Sequence, residues 1–495
     1  MRRLLLITLA LWGCDTPRTA AEDAASPDAR PADGPRMDPP LDAAPPVDAA
    51  AADAGPPDAG SLDAARPDAA PLDAAPLDAA PLDAAPLDAA PLDAAPPDAA
   101  APIGGFHPAE VALITSLAGP MPVPPDPTNR FADDPAAARL GQALFYSSGL
   151  SPLRRDCAFC HPPERAFSGE LSYDGNGGLR FRHAPSLLNA AFQPWFFWDG
   201  HADTLWGQVQ GPLEDPEEMA ATRLSALRFV LEDAELHAAW TALFGPLPPL
   251  GNSARFPPSA RPGPGPLGEA WQSMAAEDQA AVNQAYAFFA KSLAAYVRLL
   301  TSFDSPFDQF AAALEARDVA GLAVLGPDAQ RGLRLFVEVG CINCHYGPTF
   351  SDGDFHNVGL PPVAGRPEDT GRFEGIERVL ADTFNAAGPH SDDPQGPQAQ
   401  RLAGLVADDT LRGRFKTPTL RNVAQTGPWM HDGRFRTLLE AVRYKTTLPG
   451  DPGDRDPLLQ RVVLEEAQLL DLVAFLESLT GGPPDPALVG RPALP

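Results

Sequence analysis

Cysteine is scarce in this chain, and its positions are restricted. The 495 residues include 5 cysteines. Four of them lie in two five-residue segments, 157–161 and 341–345, and the fifth is Cys14. No thiol is therefore left over for a disulfide framework or for a zinc site with four cysteine ligands.

The chain also lacks long apolar runs and positive charge. No segment beyond the N-terminus reaches the ~18 consecutive apolar residues expected of a membrane-spanning helix. Lys and Arg number 37 against 65 Asp and Glu, and the net charge of −28 argues against nucleic-acid binding, which depends on basic residues. An acidic surface would suit a basic redox partner, but it is also common on ordinary soluble proteins, and we favour the ordinary interpretation.

Both cysteine-containing segments have the pattern C-x-x-C-H, the attachment signature of c-type haem. Two thiols add across the haem vinyl groups, and the adjacent histidine becomes the proximal iron ligand. The residues predicted to hold two covalently bound haem c groups are Cys157, Cys160, His161, Cys341, Cys344 and His345. Redox-active dithiols would need a βαβ context and zinc would need two further ligands near each pair, so we favour haem.

Residues 1–13 are predicted to be a secretory signal, with Arg2 and Arg3 ahead of a short apolar run. The tetrapeptide at 11–14 resembles a bacterial lipoprotein box, which predicts lipidation of Cys14. The alternative is a plain signal peptide with an incidental cysteine. Bacteria attach haem c outside the cytoplasmic membrane, so the leader and the haem motifs agree on a periplasmic protein. A lipid on Cys14 would then be its membrane anchor.

Residues 14–102 have low complexity. The pentapeptide Pro-Leu-Asp-Ala-Ala recurs in register between residues 71 and 95. Proline in every repeat interrupts helices, and the regular aspartate keeps the segment solvated. We therefore predict a disordered, semi-extended tether that precedes the folded part.

The folded part is predicted to begin near Ile103 and to be mainly α-helical. Few strands are indicated, and residues 246–267 are rich in Pro and Gly, as in an inserted loop. Amphipathic periodicity predicts helices at 135–145, 275–300, 327–339 and 467–479. Helices packed around haem are the class that this pattern favours.

Several longer motifs accompany the haem segments. They are Pro-Ser-Leu-Leu-Asn at 185–189, Phe-Trp-Asp-Gly at 197–200, Phe-Lys-Thr-Pro-Thr-Leu-Arg-Asn-Val at 415–423 and Met-His-Asp-Gly-Arg at 430–434. With them the chain resembles the bacterial dihaem cytochrome c peroxidase family over about residues 105–482. That family includes the dihaem enzymes that mature the tryptophan-derived quinone of methylamine dehydrogenase.

The resemblance implies two cytochrome c-like domains with a cleft between them. The N-terminal domain, 103–310, would carry the peroxidatic haem, and the C-terminal domain, 311–485, would carry the electron-transfer haem. Residues 486–495 would form a tail. The resemblance leaves open whether the chain forms a homodimer.

The resemblance also assigns four site residues. Trp198 matches the tryptophan between the haems, Gln208 and Glu218 match the distal pair at the peroxidatic iron, and Pro212 matches a distal-pocket proline. The chemistry agrees, because cleavage of a peroxide needs an acid–base group to move a proton and a neutral group to hold the substrate. Each residue taken alone would be interpreted as an ordinary core, loop or surface residue.

Two departures from the family pattern concern the first haem. Residues 162–182 contain no histidine to cap the peroxidatic iron, which predicts a five-coordinate, open haem. The family's calcium-binding asparagine corresponds to His183. Thr426 and Pro428 could still offer carbonyl oxygens, but calcium binding becomes doubtful.

Further departures concern charge and the second haem. His201 stands where the family has an arginine, so a fixed positive charge is lost. The position of the second haem's sixth ligand is Lys445, next to Tyr444, and the choice between Lys445, Tyr444 and no protein ligand stays open. His356 and His431 match family positions, where a hydrogen-bonded interdomain role is favoured over one near the haem propionates.

The sequence thus predicts a peroxidase that reduces H₂O₂ to water. Its electrons would come from a small c-type cytochrome or a similar periplasmic donor. One alternative is maturation-type oxidation of a protein substrate. The other is a non-catalytic dihaem electron-transfer cytochrome, which would leave Gln208 and Glu218 without a task.

Overall fold

The computed structural model describes residues 101–169, 182–363, 365, 367–450 and 453–494. The predicted signal, Cys14 and almost all of the predicted tether lie outside the described residues, as do residues 170–181 of the histidine-free loop. Among the described residues, no helix is both long enough and apolar enough to cross a bilayer.

The described residues are mainly α-helical, as predicted, and the only paired strands among them are two short ones. The helices are α1 Pro108–Ser116, α2 Pro135–Phe145, α3 Cys157–Cys160, α4 Leu205–Gln208, α5 Gln210–Glu214, α6 Arg223–Glu232, α7 Ala234–Phe244, α8 Pro266–Gln272, α9 Ala276–Val297, α10 Pro306–Glu315, α11 Pro327–Glu338, α12 Arg372–Ala381, α13 Pro397–Gln400, α14 Leu438–Thr447 and α15 Glu466–Glu477. Strand β1, Phe355–His356, pairs antiparallel with β2, Phe415–Lys416.

The four helices predicted from periodicity are confirmed as α2, α9, α11 and α15, with ends that differ by at most a few residues. Local chemistry explains where α2 begins. Asp134 accepts hydrogen bonds from the backbone N–H groups of Ala136 and Ala137, and Pro135 occupies the first turn. This is a favourable N-terminus, because it satisfies donors that have no partner within the helix.

The first hydrophobic core lies between α2, α6, α7 and α9. Large buried side chains fill it, among them Trp206, Trp240 and Phe289. Helices α2 and α9 cross at Gly141, where a Cβ atom would overlap the backbone carbonyl of Ser292. The two helix backbones can approach this closely only because Gly141 has no side chain.

The second core repeats this arrangement with α10, α11 and α15, and Phe336 and Phe475 lie at its centre. Helices α11 and α15 cross at Gly332, where a Cβ atom would overlap the carbonyl of Asp471. In both cores the helix with the crossing glycine precedes a C-x-x-C-H segment in the chain.

Both ends of the described chain cross between these cores. Ile103, Phe106 and Ile114 precede the first haem segment but pack in the second core. Leu488 and Leu494 follow the second haem segment but pack against the first core. The domain limits 103–310 and 311–485 stay predictions, and the two ends of the chain tie the two cores together.

The crossing glycines yield a test of the fold. Gly141→Ala and Gly332→Ala each force a methyl group against a carbonyl, and overpacking of this kind costs about 1–3 kcal/mol. For each kcal/mol of stability lost, we expect the melting temperature of the variant to fall by about 2–4 °C. The measurement is thermal denaturation of the haem-loaded protein.

The matched control is Gly251→Ala, because no atom lies near the position that its Cβ would occupy. Its melting temperature should equal that of the parent protein. An unchanged melting temperature for both crossing variants would contradict the close helix approach.

Candidate haem sites

The first C-x-x-C-H segment forms a single helical turn, α3. Asp156 caps this turn by accepting a hydrogen bond from the N–H of Phe159 at 2.9 Å. The Nδ1 atom of His161 lies 2.9 Å from the carbonyl oxygen of Phe167. A carbonyl can only accept, so Nδ1 carries the proton and Nε2 keeps its lone pair for a metal.

The second segment repeats this geometry on a 3₁₀ turn, Cys341–Asn343. The Nδ1 atom of His345 lies 2.8 Å from the carbonyl oxygen of Phe350. Phe167 and Phe350 both have left-handed backbone conformations, with φ of 53° and 50°. A large residue rarely adopts this conformation, and here it turns a carbonyl toward the proximal imidazole.

Sequence analysis missed these two phenylalanines. A Phe-Ser pair stands a few residues after each C-x-x-C-H segment. This repeated pair is the sequence signal that could have identified the two phenylalanines.

The donor sets at both segments fit a covalently attached haem. Each segment offers two thiols and one imidazole, the groups that a covalently attached haem needs. Burial raises the pKa of Cys157 to about 12 and that of Cys341 to about 11, so both thiols are protonated. Burial also lowers the pKa of His345 to about 4, so its imidazole is neutral, as an iron ligand must be.

Trp198 lies between the parts of the chain that follow the two haem segments. Its side chain is largely buried, and its Nε1–H donates to the carbonyl of His183 at 2.9 Å. Its ring lies 5.2 Å from the ring of His183 and 6.5 Å from that of His431. Burial lowers the pKa of both histidines to about 4, so the tryptophan has neutral neighbours on both sides.

The next residue, Asp199, is the centre of a buried charge network. Its carboxylate lies 2.7 Å from an Arg182 nitrogen and 2.6 Å from Nδ1 of His201. Burial alone would raise the pKa of Asp199, but its bonds to His201 and Arg182 outweigh burial and hold that pKa well below its usual range. Arg182 also binds Asp369 through two nitrogens, at 2.6 and 2.9 Å, and so joins the two halves of the chain.

His201 is neutral in this network, and Arg378 lies beside it. The Arg378 guanidinium donates to Nε2 of His201 at 3.0 Å and lies 3.7 Å from Asp199. The positive charge that residue 201 lacks is therefore present nearby, supplied by α12. Sequence analysis missed Arg378, since it lies far from His201 along the chain.

The predicted distal residues lie on consecutive short elements. Gln208 ends α4, Pro212 lies in α5, and Glu218 follows in a turn, and all three are half-buried. Arg155, which precedes the first haem segment, donates to the backbone carbonyls of Glu217 at 2.9 Å and Glu218 at 3.0 Å. This contact holds the Glu218 turn beside the first haem segment, and sequence analysis did not identify Arg155.

The two candidates for a sixth ligand at the second haem differ in their surroundings. The Tyr444 hydroxyl donates to the carbonyl of Gly359 at 2.6 Å. Lys445 is close enough to Cys344 and Cys341 to interact electrostatically with both thiols. Burial lowers its pKa to about 8, although the two thiol groups act in the opposite direction.

His356 lies near the second haem segment and has a carboxylate on each side. Its Nε2 lies 2.9 Å from Asp352 and its Nδ1 lies 2.7 Å from Asp456. The hydrogen bond to Asp352 is the largest of the effects that raise its pKa to about 11, so the ring is an imidazolium. Cys344, Asp352 and His356 are close enough together to share a metal ion, but both ring nitrogens already serve the carboxylates.

Comparison with known proteins agrees with this geometry. The family model for di-haem cytochrome c peroxidase matches residues 135–316. A cytochrome-c peroxidase, IdrP1, of Denitromonas iodatirespirans is 30% identical over 394 residues, which is 75% of this chain and 89% of the relative. The methylamine utilization protein MauG of Methylorubrum extorquens is 30% identical over 396 residues, 78% of this chain and 88% of the relative.

The fold agrees as well. The crystal structure of the diheme peroxidase BthA from Burkholderia thailandensis superposes with a TM-score of 0.53 at 24% sequence identity, covering 77% of this chain and 98% of that one. With two haem-binding segments of matching geometry and relatives at this identity and coverage, the chain belongs to the dihaem cytochrome c peroxidase family of oxidoreductases.

Proposed function

We propose that this enzyme reduces H₂O₂ to two water molecules at the first haem, with electrons that enter at the second. The contact from Arg155 to the Glu218 turn supports this most directly, because it holds the Glu218 backbone beside the residues that lead into the first C-x-x-C-H segment. The haems, when bound, supply the redox chemistry. The chain's own residues bind and orient the peroxide and move its protons.

Glu218 and Gln208 would divide the work in the distal pocket. Glu218 moves a proton from one peroxide oxygen to the other, and the Gln208 amide holds the peroxide by a hydrogen bond. Pro212, between them in sequence, would shape the pocket. The carbonyl of Phe167 holds His161 in the tautomer that leaves Nε2 available to iron.

Trp198 would carry electrons between the haems. It is buried, it touches residues that follow each haem segment, and its flanking histidines are neutral. Because the residues around Trp198 are neutral and desolvated, few charges have to rearrange when an electron passes, and this favours electron transfer.

Oxidation of a protein substrate is the second candidate function, because MauG is among the relatives. The absence of histidine from residues 162–182 favours it, since an uncapped iron needs no activation. Both candidate functions use the same two haems and the same Trp198.

We assign the sixth position of the second haem to Lys445. Its neighbours include both cysteines of the second haem segment, whereas the Tyr444 hydroxyl is committed to Gly359.

Calcium is not part of the proposed enzyme. The Arg165 guanidinium donates to the carbonyl of Gly427 at 3.0 Å, between the two residues expected to offer carbonyls to the ion. His183 replaces the expected asparagine, and its Nδ1 lies 3.2 Å from the carbonyl of Ala184. A guanidinium and a neutral imidazole do not form a calcium site, which needs oxygen ligands.

The proposed enzyme is exported to the periplasm and anchored there by a lipid on Cys14. A small c-type cytochrome, or a similar periplasmic donor, would supply its electrons.

Glu218→Gln tests the distal assignment. Loss of the acid–base group should slow peroxide turnover by ~100-fold while haem content stays intact. Steady-state peroxide reduction with reduced cytochrome c is the measurement. Glu217→Gln is the control, because it changes the neighbouring carboxylate and keeps the backbone contact to Arg155. Equal turnover in Glu218→Gln and the parent enzyme would remove Glu218 from the mechanism.

Spectra of the oxidised enzyme test the proposed function as a whole. We expect a high-spin EPR signal that disappears when stoichiometric H₂O₂ is added, followed by oxidation of added cytochrome c. Two low-spin haems that do not react with peroxide would instead identify a plain electron-transfer cytochrome.

Lys445→Met tests the second-haem ligand. A thioether ligand raises the potential of haem iron relative to an amine, so the second haem should become easier to reduce in a potentiometric titration. Tyr444→Phe should leave that potential where it is. The reverse result, with Tyr444→Phe shifting the potential and Lys445→Met having no effect, would assign the ligand to Tyr444.

Chelation tests the absence of calcium. Dialysis against EGTA should change neither the haem spectra nor turnover. In His183→Asn with Arg165→Met, which restores the oxygen ligand and removes the cation, added calcium should raise the melting temperature. Loss of activity from the parent enzyme on chelation, restored by calcium, would overturn the proposal.

A further inference from the structure

Two tyrosines form a hydrogen-bonded pair beside the first haem segment. Tyr146 ends α2 and Tyr296 lies on α9, and their hydroxyl oxygens are 3.2 Å apart. Tyr296 is fully buried, whereas Tyr146 is partly exposed. Neither tyrosine has a role in the proposed distal pocket or in the proposed electron route through Trp198.

Aromatic rings connect this pair to the proximal side of the first haem site. Phe145 lies 5.0 Å from the Tyr146 ring and 5.1 Å from the Tyr296 ring. It also lies 6.3 Å from the ring of Phe167, whose carbonyl holds His161. Tyr146 and Cys157 pack against the same core. Electron transfer falls steeply with distance, and this pathway consists of short steps between rings.

The C-terminal segment covers the pair and fixes Tyr296. The Tyr296 hydroxyl donates to the carbonyl of Leu488 at 2.7 Å. Arg491 binds Asp233 at 2.6 Å and so holds this segment against the first core. A carbonyl cannot take up a proton, so Tyr296 has no route for losing one. Tyr146 is partly exposed as a residue, and its hydroxyl lies 3.4 Å from the same carbonyl.

We propose that Tyr146 is a redox-active residue that gives one electron to the peroxide-oxidised first haem when the external donor supplies none. Tyr146 loses an electron to the haem and its phenolic proton to water, and becomes a neutral tyrosyl radical. The electron that Tyr146 gives up would be taken by the bound haem, which peroxide has oxidised. An electron from the external donor and a proton from water later restore the tyrosine.

Tyr296 is a positioning residue in this step. Its single hydroxyl proton bonds the Leu488 carbonyl at 2.7 Å, and it can turn to the Tyr146 oxygen, 3.2 Å away, once that oxygen has lost its own proton. The pair would hold one oxidising equivalent away from the haem and so limit oxidative damage to the cofactor. This inference rests on the proposed reaction of peroxide at the first haem, and it goes beyond that function by adding a second, protein-based oxidation site.

The experiment uses the haem-loaded full chain, one equivalent of H₂O₂ and no electron donor, with rapid freezing and EPR. We expect a radical signal that narrows when the protein is grown with ring-deuterated tyrosine. Tyr146→Phe should lose this signal and bleach its haem faster during repeated additions of peroxide. Tyr296→Phe should keep the radical but move its g1 component upward, because the radical oxygen loses a hydrogen bond.

Tyr286→Phe is the matched control. Tyr286 lies on the same helix, is fully buried, and its hydroxyl has no hydrogen-bond partner among the described residues. Its variant should give the parent radical signal, and circular dichroism should be the same for all of the variants. A radical that survives in Tyr146→Phe, or haem that reacts with peroxide without forming a tyrosyl radical, would overturn this inference alone. Haem that does not react with peroxide would overturn the proposed function as well.

Discussion

Each proximal imidazole depends on one hydrogen bond, from its Nδ1 to the carbonyl of a phenylalanine in the left-handed conformation. The bond selects the tautomer and fixes the ring plane, so that Nε2 points in a defined direction. A rarely populated backbone conformation is retained in a folded protein when the surrounding structure compensates for its cost. Here Phe167 and Phe350 are fully buried, each in its own core, and this packing supplies the compensation.

The two hydrophobic cores that contain these phenylalanines are built in the same way. In each, a helix that leads to a haem segment crosses a later helix at a glycine, Gly141 in one and Gly332 in the other. The close crossing packs the helix that leads to each haem segment directly against the later helix. Because the N-terminal segment packs in the second core and the C-terminal segment packs on the first, neither core is independent of the other.

Ion pairs and hydrogen bonds around Trp198 and Asp199 join the two halves of the chain. A buried carboxylate is costly unless its charge is paired, and removal of one partner leaves an uncompensated charge. Asp199 is paired with the charge of Arg182 and accepts a hydrogen bond from the neutral His201, while Arg378 lies near both Asp199 and His201. The two histidines beside Trp198 are neutral, because burial lowers the pKa of each to about 4.

The chemistry of this protein was readable from the order of its residues. The haem segments, the helices α2, α9, α11 and α15, and the family followed from short-range patterns, because haem attachment needs a fixed local spacing and helices have a fixed period. The assignment of Gln208, Pro212 and Glu218 to the distal pocket came from the family resemblance and stays a prediction.

Only the tertiary structure decided which distant groups meet. Arg378 beside His201, Arg155 against the Glu218 turn, and Lys445 close to the cysteines of the second haem segment all depend on how helices and turns pack. The same is true of the tyrosine pair and of the C-terminal segment that covers it. A sequence pattern records the neighbours along the chain, whereas these contacts join residues that are brought together only when the two cores close around each other.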